Sequence, residues 1–90
     1  MAGHNQDILD RRYWEVYEAL YTQLEERKLS DASFTPEDIR AFLKDAYVRQ
    51  GNDWMGHGAL WHATQAATIA AHEAFLAEWE SEAQGEGSKD

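Results

Sequence analysis

The chain has 90 residues, 43% of them hydrophobic, and a formal net charge of −9. This length predicts one domain with a modest core, and the lack of cysteine excludes disulfides, thiolate metal sites and a cysteine nucleophile. No signal-peptide pattern opens the sequence, and no apolar stretch approaches the roughly 18–20 residues of a membrane helix. We therefore expect a cytoplasmic protein without a membrane segment.

The first predicted element is an amphipathic helix over about residues 7–28. Apolar residues recur there at spacings of three and four, the period of one helix face: Leu9, Tyr13, Val16, Tyr17, Leu20 and Leu24. Trp14 and Tyr21 lie beside this stripe and widen it beyond what one neighbouring helix would cover. Because Trp and Tyr are enriched in binding hot spots, we predict that both are exposed anchors for a partner, together with Trp54 further along the chain.

The second predicted helix begins at Pro36 and has the clearest local signal in the chain. Thr35 suits the N-cap position, proline suits the first helical position, and acidic residues follow at the positive end of the helix dipole. Phe34 and Ile39 can form a hydrophobic staple across this start. We expect the helix to end near Gly51, where glycine allows a left-handed stop. Its predicted apolar face consists of Ile39, Phe42, Leu43, Ala46 and Tyr47.

The third predicted helix runs from Ala59 to about Glu82, because Gly56 and Gly58 weaken any earlier start. Residues 1–84 then form one helical domain, and residues 85–90 form a flexible acidic tail rich in Gly and Ser. One side of this helix carries large residues that we expect to face the core: Trp61, Thr68, His72, Phe75, Leu76 and Trp79. Another side carries only alanine: Ala63, Ala66, Ala67, Ala70, Ala74 and Ala77.

This alanine side has three interpretations. Alanine is the best helix former, so the side can be plain solvated surface. Small side chains also let another backbone approach closely, and that backbone can belong to the same chain or to a second copy. Self-association through these six alanines is therefore one of the open predictions.

Acidic residues concentrate towards the C-terminus, where Glu73, Glu78, Glu80 and Glu82 extend the candidate partner interface. No Lys or Arg occurs between Arg49 and Lys89. Direct nucleic-acid binding is therefore not expected, since contacts to phosphates depend on basic clusters, whereas a protein partner with a basic surface is favoured. The alternative is a solvated helix end that only keeps the protein soluble.

The histidines do not form a recognisable metal motif. His62 and His72 are ten residues apart, which is about 15 Å of helix, and His57 lies in a Gly-rich segment. The chain also has no catalytic motif and no phosphate-binding glycine loop. We predict no catalytic residue, no cofactor and no bound metal; a small helical ligand- or metal-binding protein that uses these three histidines is the alternative.

Together these patterns predict an all-α three-helix bundle, built as a helical hairpin plus a long C-terminal helix, with homodimerisation as one way to complete its core. The predicted function is non-enzymatic protein binding, as an acidic inhibitor or adaptor of a basic nucleic-acid-binding partner. In size, charge and helix content the chain resembles small phage-encoded inhibitors such as anti-CRISPR proteins, a resemblance of type that assigns no residue a role. A homo-oligomeric structural module is the alternative within the same class.

Overall fold

The structure is a computed structural model that describes residues 3–52 and 58–87. Three helices form there: α1 (Gly3–Ser30), α2 (Pro36–Asn52) and α3 (Ala59–Gly87), with no strand in the described part. The predicted all-α three-helix class is confirmed. Within the described ranges, none of the helices has the length and apolar character needed to span a membrane.

Contacts between α1 and α3 show that these two helices run parallel. The Tyr21 hydroxyl of α1 meets the Glu78 carboxylate of α3, and the Lys28 ammonium meets Glu82 at 2.9 Å. Residue numbers rise together along both helices, so their C-terminal ends lie at the same end of the molecule. The molecule measures 54 × 28 × 25 Å, and its long axis is set by these helices, since 28 helical residues span about 42 Å.

Helix α2 runs antiparallel to α3. Its first turns reach the C-terminal part of α3 through Arg40 and Glu80, and its later turns reach an earlier part of α3 through Tyr47 and Glu73. The bundle is therefore up-down-up, as short connections between successive helices favour.

The core lies where α2 and the end of α1 meet the middle of α3. Ile39, only 1% exposed, is its most buried large side chain. The predicted stripe of α1 is confirmed: Leu24 is buried and the other members are half-buried. Phe42 and Tyr47 of the predicted α2 face are instead 38% and 47% exposed, because they lie at its two edges. The buried cluster comprises Leu24, Phe34, Ile39, Leu43, Ala46, Ile69 and Phe75.

The start of α2 at Pro36 is confirmed, but the capping contact differs from the expected one. The Asp38 carboxylate accepts a hydrogen bond from the Thr35 backbone N–H at 2.9 Å, and the Asp38 N–H donates to the Thr35 carbonyl at 3.0 Å. The Thr35 hydroxyl is 3.5 Å from the same carboxylate. The side chain of the third helical residue therefore makes the cap, as in one half of a capping box. Phe34 and Ile39 are both buried in the core cluster.

We expect Asp38→Ala to lower the free energy of unfolding by about 1 kcal/mol, because it removes the acceptor for the Thr35 N–H. Thr35→Ala keeps that backbone donor and should be milder. Urea unfolding followed by circular dichroism measures both. The assignment of the cap to Asp38 is wrong if Thr35→Ala is the more damaging of the two.

Helix α2 ends close to its predicted position near Gly51 but without the expected left-handed stop, and α3 is longer than predicted. Gly51 lies within α2, outside the left-handed backbone region, and the helix ends at Asn52. Helix α3 begins at Ala59, as predicted, but continues to Gly87, past Glu82. The expected left-handed stop at Gly51 is thus wrong, since a single glycine weakens a helix without having to end it.

The most buried side of α3 is not the side with the largest residues. Ala67 and Ala71 are both 0% exposed, while Trp61, Thr68, His72, Leu76 and Trp79 are half-buried and Phe75 is buried. Ala67 and Ala71 follow the same helical row as Phe75, which contacts Tyr21 of α1. Small side chains on this row allow α1 and α3 to approach closely.

The six alanines singled out from the sequence therefore have different environments. Ala67 is covered within a single chain, whereas Ala77 is exposed. The others are half-buried and stay candidates for contact with a second copy: Ala63, Ala66, Ala70 and Ala74.

Candidate functional site: the groove between α1 and α3

A ladder of aromatic rings runs along α1. The centroids of Tyr13 and Tyr17 are 6.4 Å apart, those of Tyr17 and Tyr21 are 6.1 Å apart, and both pairs are stacked. Tyr21 continues the ladder onto α3, where its ring meets the edge of Phe75 at 5.3 Å. A spacing of four residues places the three α1 rings one above another on one helix face.

Trp14 is the exposed member of this aromatic group. Its ring lies 4.9 Å from Tyr13 and 5.3 Å from Tyr17, yet 54% of the residue is open to solvent. Tyr21, also predicted as an exposed anchor, is half-buried against the core cluster. Trp54 lies outside the described residues. The surface of α1 thus presents one exposed tryptophan whose ring packs against Tyr13 and Tyr17.

Two clefts lie between α1 and α3, and both are lined by Tyr21 and Glu78. We call these two clefts together the α1–α3 groove. The first, of about 520 Å³, is also lined by Tyr17, Glu18, Thr22 and Ala74. The second, of about 410 Å³, is also lined by Glu25, Lys28, Leu29, Phe75, Trp79 and Glu82.

All four glutamates of the predicted partner interface reach side chains on other helices. The pairs are Glu73 with Tyr47, Glu78 with Tyr21, Glu80 with Arg40, and Glu82 with Lys28. These contacts are surface contacts, so each adds little to stability. They explain why acids are present in the second half of α3 although its dipole disfavours them. Whether the same carboxylates bind a partner stays a prediction.

The four pairs differ in the charge that they leave at the surface. Glu80 and Glu82 lie against cations, whereas Glu73 and Glu78 accept hydrogen bonds from neutral phenols. A phenol satisfies a carboxylate oxygen without cancelling its charge. Glu78 therefore carries negative charge within the α1–α3 groove, and Glu73 carries a similar charge on the α2 side.

The contact with Glu78 raises the pKa of Tyr21 well above its usual value of about 10. The carboxylate accepts the phenolic proton in a hydrogen bond, and burial of the hydroxyl adds to the effect. The pKa is raised only in the folded state, so the contact between Tyr21 and Glu78 stabilises the fold. This stabilisation is complete below pH 10 and is lost as the pH rises above that value.

We expect Tyr21 to ionise late in an absorbance titration of the tyrosines. Tyr21→Phe should remove the most alkaline part of the titration curve and leave the part near pH 10 in place. Glu78→Gln should move that alkaline part towards pH 10, because the amide accepts the hydrogen bond without negative charge. A curve unchanged by Glu78→Gln would contradict the contact.

His62 and His72 both lie in α3, and each contacts a neighbouring aromatic ring. The His72 ring stacks on Phe42 of α2 with centroids 4.0 Å apart, and its Nδ1 donates to the Thr68 carbonyl at 2.7 Å. The His62 ring lies 5.1 Å from that of Trp61, and His57 lies outside the described residues. Within the part of the chain that the structure describes, no group of three or more His, Asp or Glu side chains is arranged to hold a metal ion.

No protein-family model matches the chain, and no match is found among curated proteins or solved structures. The features that bear on function are therefore those of the chain itself. They are the exposed Trp14, the α1–α3 groove and the carboxylates along it.

Proposed function

We propose that this chain is a non-enzymatic protein-binding module, an acidic inhibitor or adaptor that acts on a basic nucleic-acid-binding partner. The observation that carries this proposal is Trp14, 54% exposed, beside a groove lined by carboxylates. A large aromatic residue that loses little conformational entropy on binding is typical of interface hot spots.

The charge distribution supports a basic partner. The net charge is −9, and α3 carries five glutamates without a single Lys or Arg. Such a field attracts positively charged proteins and raises their association rates at low salt. A surface of carboxylates can also compete with nucleic-acid phosphates for the same Lys and Arg side chains.

The test is capture of a basic protein from an extract of the source organism, with the chain immobilised and bound proteins released by a salt gradient. We expect nucleic-acid-binding proteins to be released at moderate salt, because the attraction is screened. The purified captured protein should then lose nucleic-acid binding in a mobility-shift assay when the free chain is added. The proposal fails if the captured protein still binds nucleic acid equally well, or if no basic protein is captured.

A homo-oligomeric structural module is the second candidate, favoured by the half-buried alanines Ala63, Ala66, Ala70 and Ala74. Pairing two copies through them would bury a further stripe of α3. Because each copy carries −9, added salt should strengthen that pairing. Light scattering at low and moderate salt, on the wild type and on Ala70→Glu, tests this candidate. A mass of one chain under every condition would exclude it.

A further inference from the structure

We propose that the α1–α3 groove binds an amphipathic helix of the partner, with apolar side chains in the two clefts and a Lys or Arg paired with Glu78. This inference rests on the proposed function and names its binding surface. Helix-in-groove binding of this kind uses anchors on one face of the bound helix.

The length of the groove suits a short helix. Its α1 wall extends from Tyr17 to Leu29, thirteen residues whose ends are about 18 Å apart along the helix. A bound helix of about twelve residues, or three turns, would cover that length. Tyr21 and Glu78 line both clefts and so mark the boundary between them. Apolar side chains one or two turns apart on the bound helix would enter on either side of this boundary.

Apolar surface lies in the groove and at both of its ends. Ala74 is small and leaves space in the first cleft, while Phe75 and Trp79 line the second. Leu29, at the far end, is 87% exposed, and Trp14 is 54% exposed one turn before Tyr17. An apolar face of a bound helix would cover these two large exposed residues at the ends of the groove.

The negative charge of the groove favours a basic helix as its occupant over a second copy of this acidic chain. The groove is lined by four carboxylates and one ammonium, that of Lys28, which already pairs with Glu82. A second copy would place its own acidic groove residues against these carboxylates. A Lys or Arg of a partner helix would instead meet the charge of Glu78, which its phenol partner leaves uncancelled.

The test uses a fluorescent 18-residue helical peptide of Leu and Lys, with all leucines on one face, and measures binding by anisotropy. Glu78→Gln and Glu73→Gln are a matched pair. Each removes one charge from α3 and each keeps an acceptor for a tyrosine hydroxyl. We expect Glu78→Gln to weaken binding about threefold to fivefold and Glu73→Gln to leave it nearly unchanged. Trp14→Ala should weaken binding at least fivefold, since hot-spot truncation removes more than a charge contact does.

Equal weakening by Glu78→Gln and Glu73→Gln would overturn the inference, because attraction to net charge alone would then explain binding. Equal binding of a Leu and Glu peptide, or a signal that follows self-association of the chain, would also overturn it. Circular dichroism checks that each variant is folded. The two proposals can fail separately. If a basic partner is captured but the two Gln variants have equal effects, the groove is refuted and the proposed function stands. If no basic partner is captured, the proposed function is refuted.

Discussion

Ile39→Ala should be among the most damaging single substitutions in this chain, with a loss of about 2–5 kcal/mol in the free energy of unfolding. Ile39 is 1% exposed and belongs to the cluster that joins Phe34, α2 and α3. The substitution removes three carbons and leaves a cavity. The neighbours in the core cluster, such as Leu43 on α2 and Phe75 on α3, belong to different helices, so they cannot fill it without moving the helices. The total free energy of unfolding of a domain of this size is about 5–13 kcal/mol, so we expect the variant to be strongly destabilised or unfolded at 37 °C.

Val48→Ala is the matched control for that substitution. It removes part of a β-branched side chain from the same helix, but Val48 is 58% exposed. We expect a change within about 0.5 kcal/mol. Urea unfolding by circular dichroism measures both variants. Similar midpoints for Ile39→Ala and Val48→Ala would contradict the position of the core.

Ala67→Leu should have the second large effect, a loss of about 1–3 kcal/mol, because it forces a larger side chain into a fully packed position. Ala67 is 0% exposed in one chain and lies on the same α3 row as Phe75, which contacts Tyr21 of α1. A leucine there must push the two helices apart or take a strained rotamer. The thermal midpoint should therefore fall by several degrees.

Ala77→Leu provides the control, since Ala77 is one of the same six alanines but is exposed. It should leave the thermal midpoint nearly unchanged. If Ala67→Leu were also neutral, α1 and α3 would not be packed closely at this row, and the alanine would be surface.

Local chemistry made parts of this fold predictable. The start of α2 could be predicted because proline, a capping position and the Phe34–Ile39 staple act within six residues. The start of α3 at Ala59 followed from the weak helix propensity of the preceding glycines. The α1 stripe was predictable because periodicity alone defines one face. The exposure of Trp14 followed from its place beside that stripe.

The remaining features depend on how the helices are placed against one another. The glutamates of α3 meet partners 26 to 57 residues away, so their pairing requires the register between helices, which no local pattern specifies. The same holds for Ala67. The sequence pattern predicted that the large residues of α3 would be buried. The most buried residues are instead small, because small side chains are needed where α1 approaches α3 closely.

The α1–α3 groove also could not be predicted, although several of its residues were. Glu78 and Tyr21 were singled out as separate members of a partner surface, one for charge and one for aromatic area. Their contact, and the negative charge that it leaves between two clefts, exists only once α1 and α3 lie parallel.

The most direct test is a map of amide chemical shifts in the ¹⁵N-labelled chain, recorded with and without the Leu and Lys peptide at about 0.15 M salt. Binding in the α1–α3 groove predicts that the largest changes lie at residues 14–29 of α1 and residues 70–82 of α3, together with the indole N–H of Trp14. The amides on the exposed side of α2, around Val48, should be nearly unaffected. Largest changes on α2, or equal changes at every acidic segment, would contradict the groove as the binding surface.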